Sequence, residues 1–505
     1  MKVIIQAGGL GSRMNELTRN KPKGLIPIQY RPILFHLFQK WPGEEFIIIA
    51  DYKFDVIDRY LSTFARNVNY VLIKAERKGN AAALKQAAAL IPEQEPFIVI
   101  WSDLILADSF EIPAVKPGCT VGVASFPCSW SLKDGRLVRE QHEGKGVAGL
   151  YVFSDRRFLQ EVPEEGSFTR WLAQAGIPLH ELPIEASDVG THAAYDRLNI
   201  SENRCRPYNR IEIQGDRVVK TGLTDEARKL IDREIRWYGK VSSYGFTAVP
   251  RLYSEKPLVL ERILGDNIFH SSLSDSEKKA AIDRLTAALD TLHRYDSIPA
   301  DAWDIYREYF AKTLERLRSI QDVLPFASEE TIVINGTPCL NVLRKPHILR
   351  KAVMNHLLTE KFVPIHGDCT LTNTLIDDKG EIFFIDARGY FGKSEVLGDE
   401  YYDWVKLYYS INANFDQFNI KNFSLAIDHD HVFYEIHSGG WEHLTDYFLS
   451  RIPNADVSRI KLIHAIVWLS LASHCWEDYD SMCLAFYNGT ALFHEWREEF
   501  GNVRN

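Results

Sequence analysis

Two stretches of the chain bring together residue types suited to phosphate chemistry. The first is Gln6-Ala7-Gly8-Gly9-Leu10-Gly11-Ser12-Arg13-Met14. Glycines at 8, 9 and 11 let backbone N–H groups come close to an anion, because no Cβ stands in the way. Arg13 adds a forked cation matched to phosphate oxygens. Shortly after, Lys21-Pro22-Lys23-Gly24-Leu25 brings further positive charge towards the same place. The second stretch is His366-Gly367-Asp368-Cys369-Thr370-Leu371-Thr372-Asn373, followed by Ile385-Asp386-Ala387-Arg388-Gly389. A carboxylate at 368 can accept a hydroxyl proton, while the Asn373 carbonyl and Asp386 supply oxygen ligands to a hard divalent cation. Taken singly, each stretch also suits a plain turn with surface charges.

Short elements must position these residues. Phe46–Ala50, Tyr70–Ile73 and Phe97–Trp101 are strand-length apolar runs, read as buried strands of a largely parallel sheet. Asn80–Leu90 (NAAALKQAAAL) reads as a helix ending before Pro92. Such alternation predicts a three-layer α/β domain over the first 200 residues. Around Ser201–Tyr208 the pattern turns polar and irregular, and the boundary is placed there: a first domain over 1–205 and a second over 206–505. Arg210–Lys220 reads as a hairpin turning at Gly215-Asp216, and the remainder as mostly helical. Ser274 to Glu277 opens one helix with a capping box, and Ala302–Leu317 and Ile460–Ser473 read as others.

With 505 residues and ~150 per domain, two or three domains are expected. Hydrophobic residues at 46% and charged residues at 25% are ordinary for a globular protein, which excludes disordered, collagen-like and coiled-coil classes. A formal net charge of −9 without basic runs argues against a nucleic-acid partner. Seven scattered cysteines make neither a disulfide framework nor a zinc site. There is no signal-peptide pattern at the N-terminus, and the apolar run Ile460–Ala472 is too short to insert in a membrane. A cytoplasmic location is the expectation, with homo-oligomers permitted.

The glycine loop, followed by Lys21–Ile28 (KPKGLIPI), resembles the sugar-nucleotide pyrophosphorylase and cytidylyltransferase superfamily, whose pattern is GGxGxR followed by PKxLxP. Gly79-Asn80-Ala81-Ala82-Ala83-Leu84, Trp101-Ser102-Asp103-Leu104 and Asp188-Val189-Gly190-Thr191 extend the likeness in the expected order. The resemblance implies a Rossmann-like fold of GT-A type. It also implies that Ala7, Gly8, Gly9, Gly11, Ser12, Arg13, Gly79 and Asn80 bind the nucleotide. Lys23 and Arg13 would neutralise charge as pyrophosphate leaves, and Asp103 and Asp188 would hold Mg²⁺. Lys145 reads either as a contact to the acceptor phosphate or as a solvated lysine. Asn80 stands where the family often has Thr, which leaves the base open, and Asp103 follows Trp-Ser where Gly is commoner.

The second stretch, with an Asn five residues after the Asp, has the spacing of a kinase catalytic loop. It resembles the aminoglycoside phosphotransferase and choline kinase family, whose signature is HGDxxxxN followed by IDxE/D. That likeness implies an α+β protein-kinase-like domain with Asp368 as base and Asn373 and Asp386 as metal ligands. Val218-Val219-Lys220 resembles the strand bearing the phosphate-binding lysine, and Asp225–Tyr238 the helix supplying its partner Glu234. Leu258-Val259-Leu260-Glu261 resembles the strand cradling adenine. The Lys220–Glu234 pair also reads as a plain salt bridge. Arg388 occupies the family's last acidic position, a departure. Asp399-Glu400-Tyr401-Tyr402-Asp403 with Lys406 resembles fused nucleotidyltransferase–kinases of capsule biosynthesis. Trp468, Trp476 and Tyr479 read as core rather than as an acceptor pocket.

Together the two resemblances imply a bifunctional enzyme. It would phosphorylate a small hydroxyl compound (sugar, amino alcohol or polyol) with ATP, then couple the phosphomonoester to CTP, UTP or GTP for surface polysaccharide. The rival class is a monofunctional enzyme or nucleotide-sensing regulator with one inactive domain.

Overall fold

Runs rich in Ile, Val and Phe favour extended backbone that can bury both faces. In the computed structural model, which describes residues 1–140, 145–199 and 208–501, they form the centre of the first of two units. That unit comprises Met1–Glu202 and Trp476–Asp480, and the second comprises Asn203–Cys475 and Ser481–Asn505. The division expected at 205/206 falls among residues 200–207, which lie outside the described residues.

The first unit is built on strands β1 (Lys2–Gln6), β2 (Glu45–Ala50), β3 (Asn69–Lys74) and β4 (Phe97–Trp101). These are joined by β5 (Leu104–Leu106), β6 (Cys119–Ala124), β7 (Gly146–Phe153), β8 (Leu179–Pro183) and β9 (Ala186–Asp188). The central order is β7-β4-β1-β2-β3. β1 runs parallel to both β2 and β4, so Val3 lies between Phe46 and Ile98. β7 is antiparallel to β4. Strand order therefore reverses between β1 and β4, and their carboxyl ends open a crevice of the kind in which α/β sheets bind ligands.

The core on one face gathers Ile4, Ile47, Val99, Tyr151 and Phe168, all fully buried. Burying each such side chain contributes about 1.5–3 kcal/mol relative to exposure. β3 departs from the expected double burial. It is the edge strand, and Asn69, Val71 and Lys74 are exposed. The Ala-rich helix is also shorter than expected. Only Leu84–Ala89 is helical (α1), because Ala81 N donates to Gly166 O and Ala83 sits at φ +58. No helix among the described residues is long and apolar enough to cross a membrane.

The second unit opens with β10 (Asn209–Gln214) and β11 (Arg217–Gly222), paired antiparallel as the hairpin reading required. β12 (Leu252–Ser254) and β13 (Leu258–Glu261) complete a sheet of order β10-β11-β13-β12. Helix α2 (Asp225–Ser243) follows the hairpin, capped by Thr224, whose Oγ1 accepts from Ala227 N at 3.1 Å. Helix α3 (Asp275–His293) begins with the expected Ser274/Glu277 capping box. A short antiparallel pair, β14 (Thr374–Asp377) and β15 (Ile382–Phe384), precedes helices α4 (Glu400–Ile411) and α5 (Val457–Leu471). The helix expected over Ala302–Leu317 is present, but its middle, Tyr306–Ala311, is π-helical between Ala302–Ile305 and Lys312–Ile320. A sheet with one adjoining helix, backed by a helical body, makes this unit kinase-like in build.

Candidate functional site

In the first unit, the loop leaving β1 begins with Ala7, whose N–H continues the ladder to Ile49 O at 2.8 Å. Gly11 lies at φ +64, and a Cβ there would come within 2.8 Å of the Thr18 side chain, so this turn requires glycine. Gly9, Ser12 and Arg13 are exposed, leaving the outer side of the loop open. The Gln6 amide donates to the carbonyls of Asn80 and Ala82, each at 3.0 Å, and ties this loop to the Gly79–Ala83 turn. Gly79, at φ +102, approaches the Gly166 backbone so closely that a Cβ would sit 2.3 Å from its oxygen. Asn80 Oδ1 accepts from Phe168 N at 2.8 Å, so the residue replacing the familiar Thr uses its side-chain oxygen to hold the fold.

Asp103 follows β4 directly. Beyond it β5 pairs antiparallel with β9, Leu104 opposite Asp188, and Val189 N donates to Asp103 O at 2.8 Å. This ribbon carries both aspartates to the carboxyl end of the sheet. Lys23, only 7% exposed, puts Nζ 2.6 Å from Asp103 Oδ2. Burial and the nearby Asp103 charge push the Asp188 carboxyl up, against the opposing pull of Lys23 and Arg13. Loop cations and both carboxylates therefore act on one another.

Lys145 does not join them: it is half exposed and pairs with Glu181 at 3.4 Å. Lys21 points elsewhere, with Nζ 3.2 Å from Asp478 and also paired with Asp480. Cys128, which the sequence reading passed over, does join. Its thiol is pushed up to about 11 by burial and by the charges of Asp188 and Asp103.

In the second unit, Lys220 on β11 lies 2.7 Å from Glu234 Oε2 on α2 and 2.6 Å from Asp386 Oδ1. The neighbouring acids hold the buried Lys220 ammonium in its charged form. Glu261 sits further along the sheet, opposite Arg217, while Lys220 is opposite Leu258. Its Oε2 accepts from Arg251 N at 3.2 Å. Asn373 ends a short turn before β14. Its Nδ2 donates to Asp368 O at 2.9 Å and to Oδ2 at 3.1 Å, and Ile385 N donates to Asn373 O at 3.0 Å. Asp386 itself holds φ +59, a conformation uncommon outside glycine that often marks a functional position.

Two residues of α4 complete this arrangement. Asp403, fully buried, accepts from the backbone N–H of His366 at 2.8 Å and of Gly367 at 2.6 Å, and lies 3.0 Å from His293 Nε2. It holds the loop that presents Asp368. Lys406 places Nζ 2.9 Å from Asp368 Oδ1. Burial raises the Asp368 carboxyl, but the Lys406 ammonium outweighs it and holds the group below the ordinary aspartate value. Neither residue was assigned a role from sequence, although both stand in the stretch from Asp399 to Lys406 that resembles fused nucleotidyltransferase–kinases. Trp468 and Tyr479 are buried, and Trp476 packs against Phe35 and Phe64 at 5.6 and 5.8 Å within the first unit, so all three serve packing.

Among the described residues, no group of three or more His, Cys, Asp or Glu is gathered as a closed metal cage. Pairs of oxygen donors (Asp103 with Asp188, and Asn373 with Asp386) fit Mg²⁺, which takes one or two protein ligands and fills its shell with water and substrate phosphates.

Residues 2–115 match the family model described as nucleotidyl transferase, and residues 206–410 match that of the phosphotransferase enzyme family. The chain thus carries two segments, each similar to a different transferase family. It is 30% identical over 113 residues to the D-glycero-alpha-D-manno-heptose 1-phosphate guanylyltransferase of Aneurinibacillus thermoaerophilus, covering 21% of this chain and 49% of that protein. It is 40% identical over 67 residues to the glucose-1-phosphate cytidylyltransferase of Salmonella typhimurium, covering 13% of this chain and 26% of that one. With a mannose-1-phosphate guanylyltransferase catalytic subunit beta of Dictyostelium discoideum it shares 27% over 111 residues, 21% of this chain and 31% of the relative. The chain therefore spans between about a quarter and a half of the length of these curated relatives. Among solved structures, HddC from Yersinia pseudotuberculosis aligns at 22% identity and a TM-score of 0.33, covering 39% of this chain and 97% of that one. The inositol-1-phosphate CTP transferase from T. maritima aligns at 15% identity and a TM-score of 0.33, covering 39% of this chain and 94% of that one.

Proposed function

We propose that the chain is a bifunctional enzyme acting in series on one small molecule, X–OH. The domain over 206–505 transfers the γ-phosphoryl group of ATP to the hydroxyl, giving X–P and ADP. The domain over 1–205 then joins X–P to a second nucleoside triphosphate, giving NDP–X and pyrophosphate. In the phosphorylation, Asp368 takes the hydroxyl proton as the oxygen attacks the γ-phosphorus, and Lys406 holds that carboxylate ionised and aimed. Lys220, fixed by Glu234, pairs with the phosphate chain. In the nucleotidyl transfer, a phosphate oxygen of X–P attacks the α-phosphorus of the NTP. The Gly8–Arg13 loop cradles the departing pyrophosphate, and Lys23 offsets charge at the α-phosphate. Mg²⁺ held by Asp103 with Asp188, and by Asn373 with Asp386, would screen the phosphate oxygens in each half. No protein nucleophile is needed, and catalysis is positioning plus charge stabilisation.

The observation that carries this reading is that one chain holds both constellations, with none of the expected metal-ligand carboxylates missing. The names of the relatives, guanylyl- and cytidylyltransferases of sugar 1-phosphates, support a sugar phosphate as X–P and leave the base open among CTP, UTP and GTP. A product of this kind would serve surface-glycan assembly in the cytoplasm. The test is to incubate the full chain with Mg²⁺, ATP, the four NTPs and a panel of sugars, polyols and amino alcohols, and to analyse the mixture by mass spectrometry. A nucleotide conjugate that requires ATP is the expected product. ADP release without any conjugate, or a conjugate formed only from supplied X–P, would reduce the chain to one activity.

A further inference from the structure

Lys21 and Lys23 stand two residues apart in the turn that enters the first site, yet they meet different partners. Lys23 faces Asp103 at 2.6 Å. Lys21, 1% exposed, meets Asp478 at 3.2 Å and also pairs with Asp480, two acids from far down the chain. The neighbouring Asn20, also buried, donates its Nδ2 to Asp480 Oδ1 at 3.1 Å. Trp476 seats the same segment: its ring packs on Phe35 and Phe64, and its carbonyl accepts from the Tyr60 hydroxyl. All these groups belong to the first unit, which comprises Trp476–Asp480 as well as Met1–Glu202.

An apolar side chain could fill the place of Lys21 without the desolvation cost of three buried ions. Burial works against the Lys21 charge, and Asp478 and Asp480 outweigh it, so the ammonium stays protonated. What the ions add is a fixed point, because the ammonium is held from two carboxylates at once. Only Pro22 separates that point from Lys23, and its ring fixes φ at −71. Beyond Lys23 the backbone closes into a tight turn, with Ile26 N donating to Lys23 O at 3.0 Å. Gly24 lies so close to Leu34 that a Cβ would sit 2.9 Å from its Cγ. Apolar packing therefore anchors Lys23 on its carboxyl side, and the Lys21 ion cluster is the nearest anchor on its amino side.

We infer that Asp478 and Asp480 are positioning residues for nucleotidyl transfer, which fix Lys21 and thereby aim Lys23 at Asp103 and the reacting α-phosphate. The inference rests on the nucleotidyltransferase reading above and extends that site to Trp476–Asp480. Both acids are buried, and they act on the reaction through Lys23.

The test uses the full chain with Mg²⁺, mannose 1-phosphate or glucose 1-phosphate, and GTP, CTP or UTP, following pyrophosphate. Lys23 answers charge that grows in the transition state, so Lys21→Met and Asp480→Asn should each lower kcat about tenfold or more, with the nucleotide KM within about twofold. Asp478→Asn, at the longer contact, should lower kcat about threefold, and it carries the test if the other two do not fold. Glu93→Gln, which breaks an exposed pair with Arg156, should change nothing. Unfolding midpoints confirm that each variant is folded. The deciding comparison is a Lys23→Ala background. There Asp480→Asn or Asp478→Asn should cost less than about twofold more, because changes that act through one group do not add. Unaltered kcat in the folded variants, or the same loss again in the Lys23→Ala background, overturns the inference while the nucleotidyltransferase reading stands. No pyrophosphate from the parent chain with any pairing removes that reading and the inference with it.

Discussion

In the first unit Lys23 pairs with Asp103, while Asp188 feels the Asp103 charge as repulsion. In the second, Asp368 and Asp386 each hold a lysine of their own, Lys406 and Lys220. In the first arrangement the two acids act on each other, with Lys23 and Arg13 pulling against that repulsion. The second has its lysines fixed by acids before any nucleotide arrives. A nucleotidyl transfer between two phosphates meets negative charge on both reactants, so a carboxylate pair that recruits metal suits it. A transfer to a hydroxyl needs an ionised base in place, and on the proposed reading the Lys406–Asp368 pair would supply one.

The largest expected effect separates the two halves. Asp368→Asn should lower ATP-dependent ADP formation by about 10²–10⁴-fold, the usual contribution of a general base. Pyrophosphate release from supplied X–P should stay within about twofold. Coupled assays of the two products check both. Retained phosphorylation would remove Asp368 from the base position. The converse variant, Asp103→Ala, should cost pyrophosphate release about 10²-fold or more and spare ADP formation, because it removes Lys23's partner and one of the two proposed metal ligands. Loss of both products in either variant would mean that the two units do not act separately.

The comparison also shows why the sequence revealed one site more fully than the other. Gly8 to Arg13, Lys23, Asp103 and Asp188 each sit in a short motif beside a strand end, so local pattern carried them. In the second unit the motif residues Asp368, Asn373 and Asp386 were equally visible. The residues that hold them were not. Asp403 reaches the loop from 36 and 37 positions away, and Glu308 reaches Arg388 from 80. Such pairings are set by how helices pack, and periodicity records only that a helix exists. The π turn that aims Glu308 leaves no trace in the apolar pattern of Ala302–Leu317. The Asn80–Leu90 helix was overread for a related reason, since its first residues bond to the Gly166–Phe168 loop instead of to their own helix.

Lys406→Met sharpens the contrast at smaller magnitude. A charge-assisted hydrogen bond contributes about 1.5–3 kcal/mol, so kcat for phosphorylation should fall about 10–100-fold. With the ammonium gone, burial is opposed only by the lesser pull of the remaining neighbours, Arg388 among them, and the Asp368 carboxyl rises. The base must be ionised to work, so the acid limb of the kcat/KM profile should move to higher pH. A drop in rate with an unmoved acid limb would assign Lys406 to the phosphate and not to the base.

The smallest effect concerns what each site rests upon. The first site stands on a sheet whose core is apolar, whereas α4, bearing Asp403 and Lys406, packs on a buried histidine of α5. His464 is 2% exposed, lies edge-on to Tyr408 at 5.1 Å, and its Nε2 accepts from Trp468 Nε1 at 3.0 Å. Burial pushes its imidazole down to about 3 from an ordinary 6.5. Between these values the unfolded chain binds a proton that the folded one refuses, so stability falls as pH drops below about 6.5. From pH 7 to 5.5 this one group should remove about 1 kcal/mol. His464→Gln keeps an acceptor for the indole but cannot titrate. In urea unfolding at the two pH values, the variant should lose about 1 kcal/mol less than the parent from the second unit. An equal loss in both would mean that the histidine is protonated in the folded state, and the helix pair beneath Lys406 would then be held by charge, as the site above it is.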